Sequence, residues 1–309
     1  MPADSRTVTQ HLLDYAVDLA ARIQARAILV YADVFQTDLS LQEFIARSAA
    51  VRTVLVTRDA NTVDAVHKSG AEVIQVPGVR LTRMGQVKIA ILLGLSRGMF
   101  KQGDGLVCLS GVSGTGSLDT ITSATVGPEF EMVATAGAAE LAAQVNPEVF
   151  ERVLDIAVSL GVEGREGKPV GAMFVVGDTE SVQARSHQMV LNPFRGYPAE
   201  ERNILDRRLG ETVKEFATID GAFLVQGDGV VVTAGAFLRL PVAGERLTGG
   251  LGARHNSAAA ITAATKALAV TVSASTGNVT VFWGGKVLIE VKRHQTVSAA
   301  PWFGFQEDD

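Results

Sequence analysis

Asp220-Gly221-Ala222-Phe223-Leu224-Val225-Gln226-Gly227-Asp228-Gly229-Val230-Val231-Val232-Thr233 decides the fold of the second half of the chain. Two apolar runs, 223–226 and 230–233, flank a Gly-Asp-Gly turn, the pattern of a β-hairpin. Asp220 stands at the mouth of its first strand. A second hairpin is predicted downstream, where Thr280-Val281-Phe282-Trp283 and Val287-Leu288-Ile289-Glu290 flank Gly284-Gly285-Lys286. Between the hairpins, Ile261, Ala264, Thr265 and Leu268 recur at helical spacing, on a helix that opens at Arg254-His255. Hairpins around a helix predict a mixed-sheet α/β domain.

Working back toward the N-terminus, one helix is expected after Pro198, with Leu205, Leu209, Val213 and Phe216 on one face. Before it come a strand at Gly171–Val176 and a helix through Val153, Ile156 and Leu160. Small residues give way to Asn146-Pro147, a helix-start signal, and we place a domain boundary there. The chain thus divides into residues 1–145 and 146–309. The first part alternates helices with continuous apolar runs at 27–30, 53–56, 72–76 and 105–109. Apolar strands interleaved with helices predict a parallel sheet covered on both faces. Helical patterns cover Leu12 to Ile23 and about Gly85 to Arg97. No internal repeat or low-complexity segment interrupts either part.

Composition narrows the function. The chain has 309 residues, 47% of them hydrophobic and 20% charged, enough for two cores. A net charge of −5 without basic runs argues against nucleic-acid binding. Cys108 is the single cysteine, so an internal disulfide and a thiolate zinc cluster are excluded; its apolar strand predicts a buried, inert thiol. The start lacks the apolar core of a signal peptide, and the apolar stretch Ile89–Leu95 is too short to span a bilayer. A cytoplasmic protein with no membrane partner is expected.

Two segments carry chemistry-bearing residues. Asp220 offers a hard oxygen ligand for a divalent metal, although Asp-Gly is also a common turn. Gly249-Gly250-Leu251-Gly252-Ala253-Arg254-His255 is a Gly-rich loop passing into a helix N-terminus, where free amides and the helix dipole favour anions. Taken alone, Arg254 and His255 read as a capping or surface pair, since a lone His beside Arg is more often a satisfied hydrogen-bonder than a catalyst. The small residues after them leave room for a bulky ligand. Carboxylate, cations and amides together suit phosphoryl transfer. A third segment, Ser110-Gly111-Val112-Ser113-Gly114-Thr115-Gly116-Ser117, follows a strand but lacks the Gly-Lys-Ser/Thr of a phosphate-cradling loop. A tight structural turn is the favoured reading there, with an effector site second.

Asp220-Gly221-Ala222 and Gly252-Ala253-Arg254-His255-Asn256-Ser257-Ala258-Ala259 resemble, in order and separation, the two signature motifs of the diadenylate cyclase family. Ala236–Pro241 resembles a segment near the adenine in that family, and Thr271–Gly277 the turn that closes its nucleotide pocket. Ser186-His187-Gln188 and Asn192-Pro193-Phe194 resemble its two-domain soluble members, so the likeness spans about residues 150–295. It implies an enzyme that condenses two ATP into cyclic di-AMP with loss of two pyrophosphates. The catalytic residues implied are Asp220, Arg254 and His255. The nucleotide contacts implied are Gly221, Ala222, Leu238, Leu240, Gly252, Ala253, Asn256, Ser257 and Ser273.

The resemblance further implies a divalent cation, manganese first and magnesium or cobalt next, on Asp220 and His255. It also implies a homo-oligomer whose sites face each other. Residues 1–145 resemble the C-terminal α/β domain of pyruvate kinases in strand order, which implies a regulatory or structural role. The chain departs from the family at Ala274 and Ser275, where many members carry glutamates that help hold metal. A non-catalytic sensor of ATP or a cyclic dinucleotide, acting through a partner, is the alternative. Some members add a helix-hairpin-helix DNA-binding module, which is not expected after Phe305–Asp309.

Overall fold

The computed structural model describes residues 5–34, 51–59, 63, 72–78, 82–111, 117–127, 144–165, 167–239 and 252–292. Leu240, the loop residues 249–251, most of the 110–117 loop, Ala143 and the 305–309 tail therefore lie outside the described residues.

Helix α1 (Ser5–Arg22) leads into β1 (Ala27–Tyr31), then β2 (Thr53–Thr57) and β3 (Glu72–Gln75). Helix α2 (Arg83–Ser96), β4 (Gly105–Ser110) and β5 (Thr120–Thr125) follow. The sheet order is β3-β2-β1-β4-β5, with the first four strands parallel. The runs Ala27–Tyr31 and Leu106–Ser110 are buried throughout, which is why they read as unbroken apolar sequence. The fifth strand was not foreseen. It is an antiparallel edge strand, Thr-Ile-Thr-Ser-Ala-Thr, half exposed and without an apolar run. The helix-start signal of α2 is Thr82, whose hydroxyl accepts from Gly85 N at 3.0 Å.

Helix α3 (Pro147–Val162) begins where Asn-Pro placed it: the Asn146 side chain accepts from Glu148 N, and Pro147 occupies the first turn. Strand β6 (Ala172–Val176), helix α4 (Thr179–Ala184) and β7 (Ser186–Gln188) come next. Then come α5 (Arg207–Phe216), β8 (Ala222–Val225), β9 (Val231–Leu238), α6 (Ala253–Ala264), β10 (Leu268–Val272), β11 (Val279–Trp283) and β12 (Lys286–Val291). Both predicted hairpins form, β8–β9 and β11–β12. The second sheet runs β12-β11-β10-β6-β8-β9-β7 and is mixed, with β6 and β8 its parallel pair.

Two helices differ from the sequence expectation. The single helix after Pro198 is instead a 3₁₀ turn at Ala199–Arg202 and a separate α5. Asn203 breaks them apart: its backbone is extended, its amide donates to Asp228 O, and its side-chain oxygen accepts from Leu205 N. Leu205 accordingly sits at the surface rather than on a buried helix face. The helix bearing Ile261 stops at Ala264, because Thr265 is extended, and Leu268 belongs to β10.

Alternation in β11 divides the two faces of the second sheet. Val279, Val281 and Trp283 join a buried cluster that also contains α2, α3 and the first sheet. Phe282 packs with α6 residues Ala258, Ala259 and Ile261 on the opposite face. The N-terminus of α6 thus emerges above the sheet beside the Asp220 turn.

Candidate active site

Gly221 sets the position of Asp220. Its φ is +110°, and an added Cβ would lie 2.6 Å from the Gly235 carbonyl carbon. Only glycine lets the chain turn here against the backbone of β9. Opposite, the α6 N-cap is Gly252, which has no side chain with which to cap the helix. Among the described residues the Ala253 and Arg254 amides have no partner, and they stand at the positive end of the dipole, where an anion is favoured.

Across this gap, Arg254 Nη2 donates to Asp220 Oδ1 at 3.1 Å, with the carboxylate 85% and the guanidinium 35% exposed. The other face of Arg254 lies over Gly171, where a Cβ would stand 2.8 Å from Nη1. His255 is half-buried. Its Nε2 is 3.3 Å from Thr280 Oγ1, and its ring meets Phe282 edge-on at 5.8 Å. Burial holds its pKa below the ordinary imidazole value, while the nearby Glu290 carboxylate pulls it partly back. The imidazole is therefore neutral at neutral pH. If Nε2 carries the proton and donates to Thr280, the Nδ1 lone pair remains for a cation or an O–H.

These groups share a cavity of about 770 Å³. Of the residues picked from sequence, Asp220, Gly221, Leu238, Gly252, Ala253, Arg254, His255, Ser257 and Ser273 line it. Ala222 does not: it is fully buried within β8. Asn256 is exposed and lies off the lining. The Ser273 hydroxyl also builds the turn after β10, accepting from Thr276 N at 3.2 Å and pairing with Ser275 Oγ at 3.1 Å.

Ala236 and Phe237, of the segment expected near the adenine, and Thr276, of the expected closing turn, also line the cavity; sequence reasoning missed Met173 and Met189 on the apolar wall and Asn278 and Glu290 on the polar one. The apolar wall draws on β6, β9 and the segment after β7, so no single local pattern announces it. Glu290 was legible in principle, since hairpin pairing sets it opposite Thr280.

The donor chemistry fits a divalent cation in part. A neutral imidazole and two carboxylates, Asp220 and Glu290, line one cavity. Among the described residues, however, no three His, Cys, Asp or Glu side chains converge on one point. An ion bound here needs phosphate oxygens to fill its shell, as expected where substrate brings ligands of its own.

A family model described as "DisA bacterial checkpoint controller nucleotide-binding" matches residues 159–287, and one described as "Probable sensor domain DacZ_P" matches residues 9–132. A diadenylate cyclase of Methanocaldococcus jannaschii is 30% identical over 301 residues, 92% of this chain and 96% of that protein. The chain belongs to the diadenylate cyclase family. It is accordingly a nucleotidyltransferase. A second diadenylate cyclase, from Haloferax volcanii, is 32% identical over 210 residues, 67% of this chain and 74% of its own.

Solved structures are more distant from this chain. DacA from Staphylococcus aureus, carrying two cysteine substitutions, shares 21% identity over 45% of this chain and 84% of its own, with a TM-score of 0.30. A pyruvate kinase from Cryptosporidium parvum shares 12% identity over 39% of this chain and 23% of its own, with a TM-score of 0.32. Neither score is high enough to bear on the fold. Among the described residues, no helix is long and apolar enough to cross a membrane.

Proposed function

We propose that the chain condenses two ATP molecules into cyclic di-AMP, releasing two pyrophosphates, with the help of a divalent cation. The observation that carries this reading is the meeting of Asp220 and Arg254, 34 residues apart, at 3.1 Å on the rim of one cavity. The cavity has an apolar wall suited to a base and a cationic mouth suited to a triphosphate.

Asp220 orients the ribose 3′-hydroxyl and accepts its proton. The oxygen so freed forms a bond to the α-phosphorus of an ATP held on a facing domain, and that phosphorus loses its bond to the departing pyrophosphate. Arg254 and the first amides of α6 offset the charge that grows on the phosphoryl oxygens. His255 holds a phosphate oxygen or the cation, and Ser273 lines the pocket. Manganese, or magnesium or cobalt, held by Asp220, His255 and the phosphates, supplies positive charge to the triphosphate when bound. Two such transfers close the ring, so two sites must face each other, most simply across a two-fold axis. Exposed apolar side chains near the rim support such a pairing: Met189, Leu191 and Phe237 are 48%, 95% and 49% exposed.

Asp220→Asn tests the reading. It should leave ATP binding within about twofold and cut product formation by at least ~10³-fold, the scale of losing one preorganised catalytic group. Turnover at the wild-type rate would refute the role of Asp220. Binding of ATP or cyclic di-AMP by wild-type protein that makes no product would instead favour the non-catalytic sensor.

A further inference from the structure

Glu290 lies on β12, beyond the last residue matched by the nucleotide-binding family model. It nevertheless faces into the cavity. Strand pairing sets it directly opposite Thr280, whose hydroxyl meets His255 Nε2 at 3.3 Å. Side chains so paired on one face stand about 5 Å apart at Cβ. Glu290 and His255 therefore flank the same threonine.

Two features give this carboxylate its significance. Its partner is a neutral amide: Asn278 Nδ2 donates to Glu290 Oε1 at 2.9 Å. Among the described residues no Lys, Arg or His forms an ion pair with it, whereas Asp220 already has Arg254 beside it. A half-buried negative charge without a cation, lining a cavity for a polyphosphate, repels that ligand unless a cation comes between them. Meanwhile the turn after β10 has Ala274 and Ser275, both exposed and neither able to bind an ion as an acid would.

We propose that Glu290 is a ligand for the divalent cation that accompanies the triphosphate. It acts with the imidazole of His255 and supplies from β12 the carboxylate that the turn at 274–275 lacks. One hard oxygen and one imidazole nitrogen suit manganese, with phosphate oxygens completing the shell. Asp220, beside Arg254 at 3.1 Å, then shares the cation and meets the ribose hydroxyl. This inference rests on reading the cavity as a metal-dependent nucleotide site.

The test titrates Mn2+ into the full-length chain with a non-hydrolysable ATP analogue, following free Mn2+ by electron paramagnetic resonance. Glu290→Gln keeps the acceptor for Asn278 and removes only the charge. It should weaken Mn2+ binding at least ~10-fold, the scale seen when support for a bound metal is lost. In chelator, by calorimetry, the same variant should bind the analogue as tightly as wild type or tighter, because a repulsive charge has gone. Should Glu290→Gln fail to fold, Glu290→Asp serves, with a smaller loss of Mn2+ affinity expected. Equal Mn2+ affinity in wild type and the folded variant would overturn the role of Glu290 alone. A wild-type chain that binds the analogue but takes up no Mn2+ would overturn the metal-dependent reading itself.

Discussion

At the scale of single residues, the site depends on positions whose chemistry is fixed by what surrounds them. Gly221 adopts a backbone conformation that L-residues avoid and lies against the backbone of Gly235 and Ala236, which cannot yield as a side chain might. Gly221→Ala should cost about 1–3 kcal/mol in urea unfolding and abolish product, since it displaces Asp220. Cys108 makes a contrasting case. Burial in β4 pushes its thiol from 9.0 up to about 12. In the unfolded chain the thiol ionises near pH 9, while in the folded chain it does not until about 12. Its contribution to stability is therefore full below pH 9 and is lost as pH rises from 9 toward 12. Urea unfolding at pH 8 and pH 10.5 should show a loss in wild type that is smaller in Cys108→Ala. A thiol reagent at pH 8 should leave native protein unlabelled, and rapid labelling would contradict a buried, inert Cys108.

At the scale of elements, α3 is the support beneath the nucleotide pocket. Its Gly161 packs so closely on the turn after β10 that an added Cβ would collide with the Gly277 carbonyl oxygen. Gly161→Ala should destabilise the fold by about 1–3 kcal/mol through overpacking. It should also weaken ATP binding, although residue 161 does not line the cavity; unchanged affinity would show that the turn can move without consequence. How far elements were legible depended on whether their signal is local. The hairpins at 220–233 and 280–290 and the buried strands β1, β2 and β4 follow from runs of a few residues. The β5 edge does not, because its half-exposed threonines and serine carry no apolar pattern. Helix ends were misread where a side chain outcompetes the backbone, at Asn203, or where apolar spacing outlasts the helix, at Leu268. The site shows the same division: Asp220 and Arg254-His255 stood out as motifs, while Met173, Met189 and Glu290 reach the cavity only through strand order and pairing.

At the scale of the whole molecule, the two sheets are not independent. One cluster of buried side chains includes β1, β2 and β4, α2, α3 and one face of β10–β12. Arg97, at the end of α2, adds a paired contact to Glu151 of α3 at 2.5 and 2.7 Å and donates to Val73 O at 3.1 Å. A shared core predicts one cooperative melting transition rather than two. Two well-separated calorimetric peaks would show that the halves unfold on their own. Arg97→Ala should lower the midpoint by a few degrees, consistent with about 1–2 kcal/mol for a part-exposed bidentate pair.

We propose that two ATP molecules are joined at facing cavities, each rimmed by Asp220 and Arg254. Purified protein incubated with ATP and Mn2+ should yield cyclic di-AMP and pyrophosphate by mass spectrometry, and chelator should abolish both. ATP recovered intact in the presence of Mn2+, or product formed undiminished in chelator, would contradict the account.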